Sequence, residues 1–563
     1  RRYGARVRRA VLVSVAVAGL LPVAQATAAA PRTGRLVVTL APSATASTRA
    51  QGAAVAATAG ARRPGSAVPR LHAVAVRPRP GETLRALRAR LLRDPRVEHA
   101  DVEHRARPRF VPNDPALRQE ETANGTAPGT IVEWWAARTG LPAAWDLQRG
   151  DSALVAVIDT GVDASHPDLA GRIAAAADFS GEGPATQDPV GHGTHVASLA
   201  CAAGDNGIGL AGAGLGCRLL VARTDFTDTS VASAIVWATD RGADAITMSF
   251  GTAPGTAPSR VVTGALDYAY AHGVVLAAAA ADEPAQDQGY PASVLQPTGT
   301  GPSPGAGKGL SVTAADASDD RASFAGYGSQ ISLAAYGAYA QKDGPRGIFG
   351  AFTGTTPSQL ERPGLDTLPP RKPCLCRTIF DDDPRYAYLQ GTSMAAPVVA
   401  AVGALVRRMN PDLGIAEVLQ VLKSSARRPA GRWTADLGWG ILDAGAAVRA
   451  AAAIDRRPPS SRLRASARRT HRRTVLLRWR GSDSGPPGVA VSGIARYEVW
   501  RSVDGHSWRR ILVASKRRLR MRVRVRPRSR YRFLTVAVDA AGNREPLARR
   551  ADARVVALRP RST

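Results

Sequence analysis

Cysteine is scarce in this chain, with four residues in 563. That excludes a small scaffold held together by disulfides and leaves the fold to rest on packed cores. Aromatic residues make up 5%, too few for a base-stacking surface, so no nucleic-acid partner is expected. After residue 30 no apolar run reaches the ~20 residues that a bilayer requires. Acidic side chains are sparse toward the C-terminus, where residues 456–563 hold 6 Asp/Glu against 30 Lys/Arg. That stretch alone carries +24 of the formal +29, which leaves the rest of the chain near +5. Either these arginines merely solvate a surface, or their field draws in polyanions and weakens in salt.

A chain of this length exceeds one core and divides into several units. Basic Arg1 to Arg9 precede an apolar stretch from Ala10 to Val23. The small-residue segment AQATAAAP follows, with cleavage points after Ala28 or Ala30. This is the layout of a secretory signal, so residues 1–30 are expected to be removed and the product secreted, released or held at the cell surface. Residues 31–112 contain RLVVTL, LHAVAVRP and VEHADVEH as strands, with a helix beginning near Glu82, ahead of the exposed connector PRFVPNDP. A connector of that kind is where a protease cuts easily.

From 113 to 454 apolar strands such as LVAVID, CRLLVAR, AITMSF and VVLAAAAA alternate with amphipathic helices. That pattern predicts an α/β fold with a parallel sheet flanked by helices on both faces. Residues 341–386 interrupt it with Gly, Pro and charge and read as a surface insertion. Within them Cys374 and Cys376 stand one residue apart, too close for an easy mutual bridge. Cys201 and Cys217 flank a Gly-rich loop. They either close it, at about 3 kcal/mol by the chain-entropy relation, or remain buried thiols. From 455 to 563 the runs TVLLRWR, RYEVWRS, RMRVRVR and YRFLTVAVD, separated by turns, predict an antiparallel all-β sandwich with Trp479 and Tyr497 in strands.

In parallel sheets the chemistry lies at the carboxyl ends of strands. VAVIDTGVD puts Asp159 at such an end. GHGTHVASLA puts His192 in a Gly-flanked turn before an apolar helix, and GTSMAAPVVAAVGAL puts Ser393 in the first helical turn with Pro397 soon after. A helix start offers free N–H groups and a dipole that favour negative charge. Any one of these residues alone is more often a cap or a packed side chain than a catalyst.

Together, in this order and with these neighbours, the three segments resemble the catalytic segments of the subtilisin-like serine proteases across about residues 128–453. The resemblance implies Ser393 as nucleophile, His192 as general base and then acid, and Asp159 as the group that orients the imidazole. His195 and Asp163 fall outside that triad. In the family a strand like VVLAAAAA ends in Gly-Asn, whose side chain donates to the oxyanion. Here those positions hold Ala281 and Asp282, and an ionised Asp cannot donate. Protonation of Asp282, or reliance on the Ser393 N–H, are the two physical escapes. Glu283 reads as a solvated loop charge.

The same likeness implies that Ser249, Phe250 and Gly251 pair with substrate backbone. It also implies that GDNGIGLAG (204–212) is a structural calcium loop with Asp168 and Asn206 as oxygen ligands, although Asn-Gly turns also occur without metal. Residues 31–112 resemble the family's inhibitory propeptide, and the C-terminal sandwich resembles a fibronectin type III module. The expected protein is a secreted serine endopeptidase that cleaves proteins or peptides, with no catalytic cofactor, its own propeptide as inhibitor and an anionic cell-surface polymer as partner of the tail. The alternative is a catalytically impaired relative that binds polyanions.

Overall fold

The computed structural model describes residues 32–42, 47–61, 67–79, 82–104, 110–123, 125–339, 347–363 and 372–559. The signal-like segment at 1–30 lies outside them. The chain divides into two units, Arg1–Pro108 and Arg109–Thr563.

In the first unit, strands β1 (Arg32–Leu40), β2 (Ala67–Val68), β3 (Ala73–Val76) and β4 (Val97–His104) form one antiparallel sheet in the order β2-β3-β1-β4. Leu36, Val38, Val74 and Val76 face a core completed by Leu87 and Leu91. The helix foreseen near Glu82 spans Leu84–Leu91 and is capped by the Thr83 side chain. A further helix, Thr48–Thr58, occupies the Ala/Thr-rich stretch for which no element was expected. Its buried residues Thr48, Gln51, Gly52, Val55 and Ala56 recur at helical spacing, and Ser47 accepts a hydrogen bond at its start. Alanine favours the helix, but a stripe this weakly apolar hides its periodicity.

The second unit is built around seven strands: β5 (Leu154–Asp159), β6 (Ile173–Asp178), β7 (Arg218–Arg223), β8 (Ala245–Met248), β9 (Val275–Ala279), β10 (Leu310–Ala315) and β11 (Leu333–Tyr336). They form a parallel sheet in the order β11-β10-β9-β8-β5-β7-β6. Successive side chains of β5 serve opposite faces. Val155 and Val157 pack with the helices His192–Cys201 and Thr392–Met409, and Ala156 and Ile158 with Asp228–Asp240 and Arg260–Ala271. This is the α/β architecture with both faces covered. Strands β6, β10 and β11 (IAAAAD, LSVTAA and LAAY) were not foreseen.

The supposed surface insertion is partly core. Strands β12 (Ile348–Ala351), β13 (Arg377–Phe380) and β14 (Asp383–Leu389) make an antiparallel sheet in the order β12-β14-β13, and Phe349, Phe352 and Tyr386 are buried. The turns and charges between these strands conceal them in sequence. Cys374 and Cys376 are bonded to each other, against the expectation from their spacing. The backbone folds back over Leu375, which is 93% exposed, so that the two Cα atoms come within 5.1 Å. Cys201 and Cys217 are bonded as well and close the Gly-rich loop.

The C-terminal region is all-β. Strands β15 (Ser460–Ala465), β17 (Thr474–Ser482) and β20 (Arg520–Arg524) form an antiparallel sheet in the order β15-β17-β20. The second sheet runs β16 (Arg469–Thr470), β22 (Ala553–Ala557), β21 (Arg530–Asp539), β18 (Ile494–Val503), β19 (Arg509–Ser515). Leu463, Val475, Leu477, Trp479, Tyr497 and Phe533 fill the core between them, with the Trp479 and Tyr497 rings edge to face at 6.4 Å. The two disulfides should differ sharply in worth. Replacing Cys201 and Cys217 by Ser is expected to lower stability by about 3 kcal/mol, because a long loop is released, whereas the one-residue loop of Cys374–Cys376 releases little. Urea unfolding midpoints of the two double variants check this, and equal losses would contradict it.

Candidate active site

Asp159 closes β5 at the carboxyl edge of the sheet and is 1% exposed. A carboxylate there is tenable only with donors, and two supply it. The Thr160 N–H lies 2.8 Å from Oδ1, and His192 Nδ1 lies 2.8 Å from the same oxygen. Because Nδ1 faces a carboxylate, it carries the proton and leaves Nε2 as the basic nitrogen. Burial pulls the His192 pKa down, but the charge and hydrogen bond of Asp159, with Asp188 and Asp282 farther off, outweigh it and hold the ring above its ordinary value.

His192 opens the helix that packs beneath β5. Gly193 follows it because a Cβ at that position would stand 2.1 Å from the Gly161 carbonyl. Asp188 fixes this junction, although no sequence reasoning singled it out. Its Oδ1 accepts from Thr160 Oγ1 at 2.9 Å and from the Gly191 N–H at 2.8 Å, and its Oδ2 from the N–H and hydroxyl of Thr194 at 2.8 and 2.7 Å. One buried carboxylate thus ties the residue after Asp159 to the residues around His192. The signal was in DPVGHGTH, where an acid precedes a helix start.

Ser393 lies in the first turn of Thr392–Met409. Gly391 precedes that helix at φ 153°, a conformation that favours glycine, and a Cβ there would meet Asp282 Oδ2 at 3.0 Å. Pro397 lacks the N–H that would otherwise bond the Ser393 carbonyl, and Ser249 Oγ takes that carbonyl at 2.9 Å. Ser393 Oγ in turn donates to the Ser249 carbonyl at 3.0 Å. Among the described residues no hydrogen bond joins Ser393 to His192.

Asp282 follows the run after β9. Its Oδ1 accepts from the Thr392 N–H at 2.8 Å and lies 2.9 Å from the Thr392 hydroxyl. Partial desolvation pushes its carboxyl up, while Thr392 and the imidazole pull it back, and the net shift is upward. The residue still opens to solvent at the mouth of a cleft of about 440 Å³, whose walls include Phe250, Gly251, Asp282, Thr392 and Ser393. Phe250, Gly251, Asp282 and Ser393 therefore share one cleft, Ser249 adjoins it through its two hydrogen bonds to Ser393, and His192 is close enough to Asp282 for the two charges to shift each other. Glu283 is an exposed loop residue. His195 is fully buried, its Nε2 lies 3.0 Å from the Ile348 carbonyl, and burial lowers its pKa to about 3. It ties the helix to β12.

Asp168 and Asn206 meet at the loop 204–212. Asn206 Nδ2 lies 3.5 Å from Asp168 Oδ1, and Tyr386 and the Leu210 N–H both donate to Asp168 Oδ2. Burial raises the Asp168 carboxyl to about 7. Two further acids, absent from the sequence reading, belong to the same cluster: Asp114 and Glu133, both 0% exposed. Asp114 Oδ2 accepts from the Asp205 N–H, and Glu133 Oε2 from the Ala211 N–H. Asp114 Oδ1 and Glu133 Oε1 are buried with no hydrogen-bond partner among the described residues. Carboxyl oxygens of this kind are the ligands a hard cation takes, although among the described residues the three acids whose oxygens lie within 4.8 Å of one another are Asp455, Asp483 and Asp539 and not these.

With this geometry in view, residues 150–440 match the subtilase family, and the chain belongs to that family of serine proteases. It is 31% identical to thermitase of Thermoactinomyces vulgaris over 252 residues, which are 44% of this chain and 81% of that protein. It is 31% identical to subtilisin BL of Lederbergia lenta over 324 residues, 56% of this chain and 99% of that one. Among solved structures, a protease from Pseudoalteromonas arctica superposes with a TM-score of 0.46 at 28% identity, covering 60% of this chain and 99% of its own.

Proposed function

We propose that the protein is a secreted serine endopeptidase that cleaves proteins or peptides through an acyl-enzyme on Ser393. The observation that carries this reading is the hydrogen bond from the half-buried His192 to the buried Asp159, beside a cleft that holds Ser393 at a helix start. A turn about χ1 takes Ser393 Oγ from the Ser249 carbonyl toward His192 Nε2. The hydroxyl attacks the scissile carbonyl, its proton passes to Nε2, and Asp159 keeps the ring oriented and supports the imidazolium. The protonated ring then delivers that proton to the leaving amine. Water repeats the sequence on the acyl-enzyme. Ser249 to Gly251 align the substrate backbone along the cleft, and the unit at 31–112 acts as inhibitor until it is cut away. A binding-only relative is not favoured, since it has no need of a base held by a buried carboxylate. Purified mature protein should hydrolyse casein near neutral pH, react with a fluorophosphonate, and lose about a thousandfold or more of its rate in Ser393→Ala. Absence of both turnover and labelling in the native chain would sink this reading.

The tetrahedral oxyanion meets the Ser393 N–H and, in this reading, a protonated Asp282. Thr392 occupies Oδ1, leaving Oδ2 as the oxygen that carries the proton toward the cleft. Substrate completes the desolvation that already raises this carboxyl. The two titrations act in opposite directions. Rate appears as His192 loses its proton with rising pH and disappears as Asp282 loses its own. Asp282→Asn supplies a permanent donor, so kcat at pH 8 is expected to rise by about ten- to a hundredfold, with the alkaline decline removed. Equal or lower kcat at every pH would reject the donor role.

A structural calcium ion would be held by Asp114, Asp168 and Asn206 beside Glu133, tying the N-terminal part of this unit to the loop at 204–212. Millimolar calcium should raise the unfolding temperature by a few degrees, a gain that EDTA reverses. Asp168→Asn should abolish that gain, and a calcium-independent midpoint in the parent protein would remove the ion.

A further inference from the structure

The C-terminal arginines are sorted by the sheet. Along β15, β17 and β20 one set of side chains points inward, with Leu463, Val475, Leu477, Trp479 and Val523 buried. The alternate set points out, as the period of two requires, and it contains Arg462, Arg464, Arg478, Arg480, Arg520, Arg522 and Arg524, all exposed. The strand register sets arginine directly against arginine. Arg462 faces Arg480, and Arg464, Arg478 and Arg520 form one row across the three strands. No outward position of these strands holds an acid, and none of the seven makes an ion pair among the described residues. On the other sheet, by contrast, Glu498 takes both Arg510 and Arg544.

Like charges set opposite one another destabilise a sheet. A face that accumulates them has a reason outside the fold. The outward side chains also say what the reason is not. On the strands the only apolar one is Leu476, which is half-buried, and beside them Leu519 is 43% exposed; one isolated exposed leucine is too little apolar surface to seat the face in a bilayer. It presents no aromatic ring on which bases could stack. What it does present is a flat grid of forked donors, repeating about every 7 Å along each strand and about every 5 Å between strands. At the row's end Arg478 and Arg520 continue, with Arg517 and Arg518, into a concavity of about 560 Å³. Its wall includes Trp479, whose Nε1 is buried with no hydrogen-bond partner among the described residues.

We propose that this face is a docking surface for a linear polyanion carrying phosphate groups. One guanidinium fork satisfies a carboxylate, whereas a phosphate has further oxygens to offer a second arginine. Each arginine of the central row has such a neighbour. A flexible chain with a phosphate at every repeat lies along the rows, and the peptidase domain is thereby tethered where that polymer is dense. The tether does not depend on catalysis, so its failure and the failure of the proteolytic reading are separable.

The test is equilibrium binding of labelled long-chain inorganic polyphosphate to the full chain between about 50 and 200 mM salt. Affinity should fall steeply with salt. The triple variant R464Q/R478Q/R520Q should lose at least about tenfold in affinity and flatten the salt slope by about 2, with no fall in unfolding temperature because repulsion is relieved. The charge-matched triple R509Q/R530Q/R554Q, on the other sheet, should stay within about twofold of the parent. The single variant R478Q should show a smaller loss of the same kind. Equal losses in both triples would reduce the effect to net charge and overturn the assignment. So would equal or tighter binding of polyglutamate, duplex DNA or anionic phosphatidylglycerol vesicles, or no binding of polyphosphate by the parent.

Discussion

A carboxylate at the end of a strand buried on both faces must find donors, because an uncompensated charge there costs several kcal/mol. Asp159 finds the Thr160 N–H and the His192 ring, and the rest of the active site is arranged around that need. The imidazole is fixed by the sheet and not by a loop alone. Asp188, bonded both to Thr160 and to the turn at Gly191, keeps strand end and helix start from drifting apart. Two buried acids thus flank one ring. The raised affinity of His192 for a proton is the electrostatic consequence, and it fits the base role proposed for this ring.

The second constraint comes from Asp282. In the proposed mechanism this acid stands where the oxyanion forms, and there its charge state decides whether it helps or hinders. Its Oδ1 accepts from the Thr392 N–H, which keeps the carboxyl beside the start of the helix that carries Ser393. The imidazole and this carboxyl also sense one another. Protonation of one therefore bears on the other.

Much of the site was legible in sequence because its chemistry is local. Asp159 at a strand end, His192 and Ser393 at helix starts and the unusual Asp282 each carry a signature within a dozen residues. What stayed hidden depends on chain segments meeting from afar. Asp114 and Glu133 gather at the Asp168 loop only after folding, and Tyr386 reaches Asp168 from a segment whose Gly, Pro and charges read as surface. The Cys374–Cys376 bond escaped because spacing rules assume a smoother backbone than the one that ejects Leu375. Of the main sheet, LVAVID, CRLLVAR, AITMSF and VVLAAAAA were foreseen, and IAAAAD, LSVTAA and LAAY were not. In the C-terminal region the excess of arginine was plain, but its sorting onto one face followed from register, which composition does not encode.

A crystal structure of the protein inactivated by a fluorophosphonate tests the convergence of these groups most directly, since the phosphonyl oxygen stands where the oxyanion would form. The expected result is phosphorus on Ser393 Oγ, with that oxygen about 3 Å from both the Ser393 N–H and the Asp282 carboxyl and His192 Nε2 facing the adduct. A phosphonyl oxygen directed to bulk solvent, or an imidazole out of reach of Ser393, would contradict it.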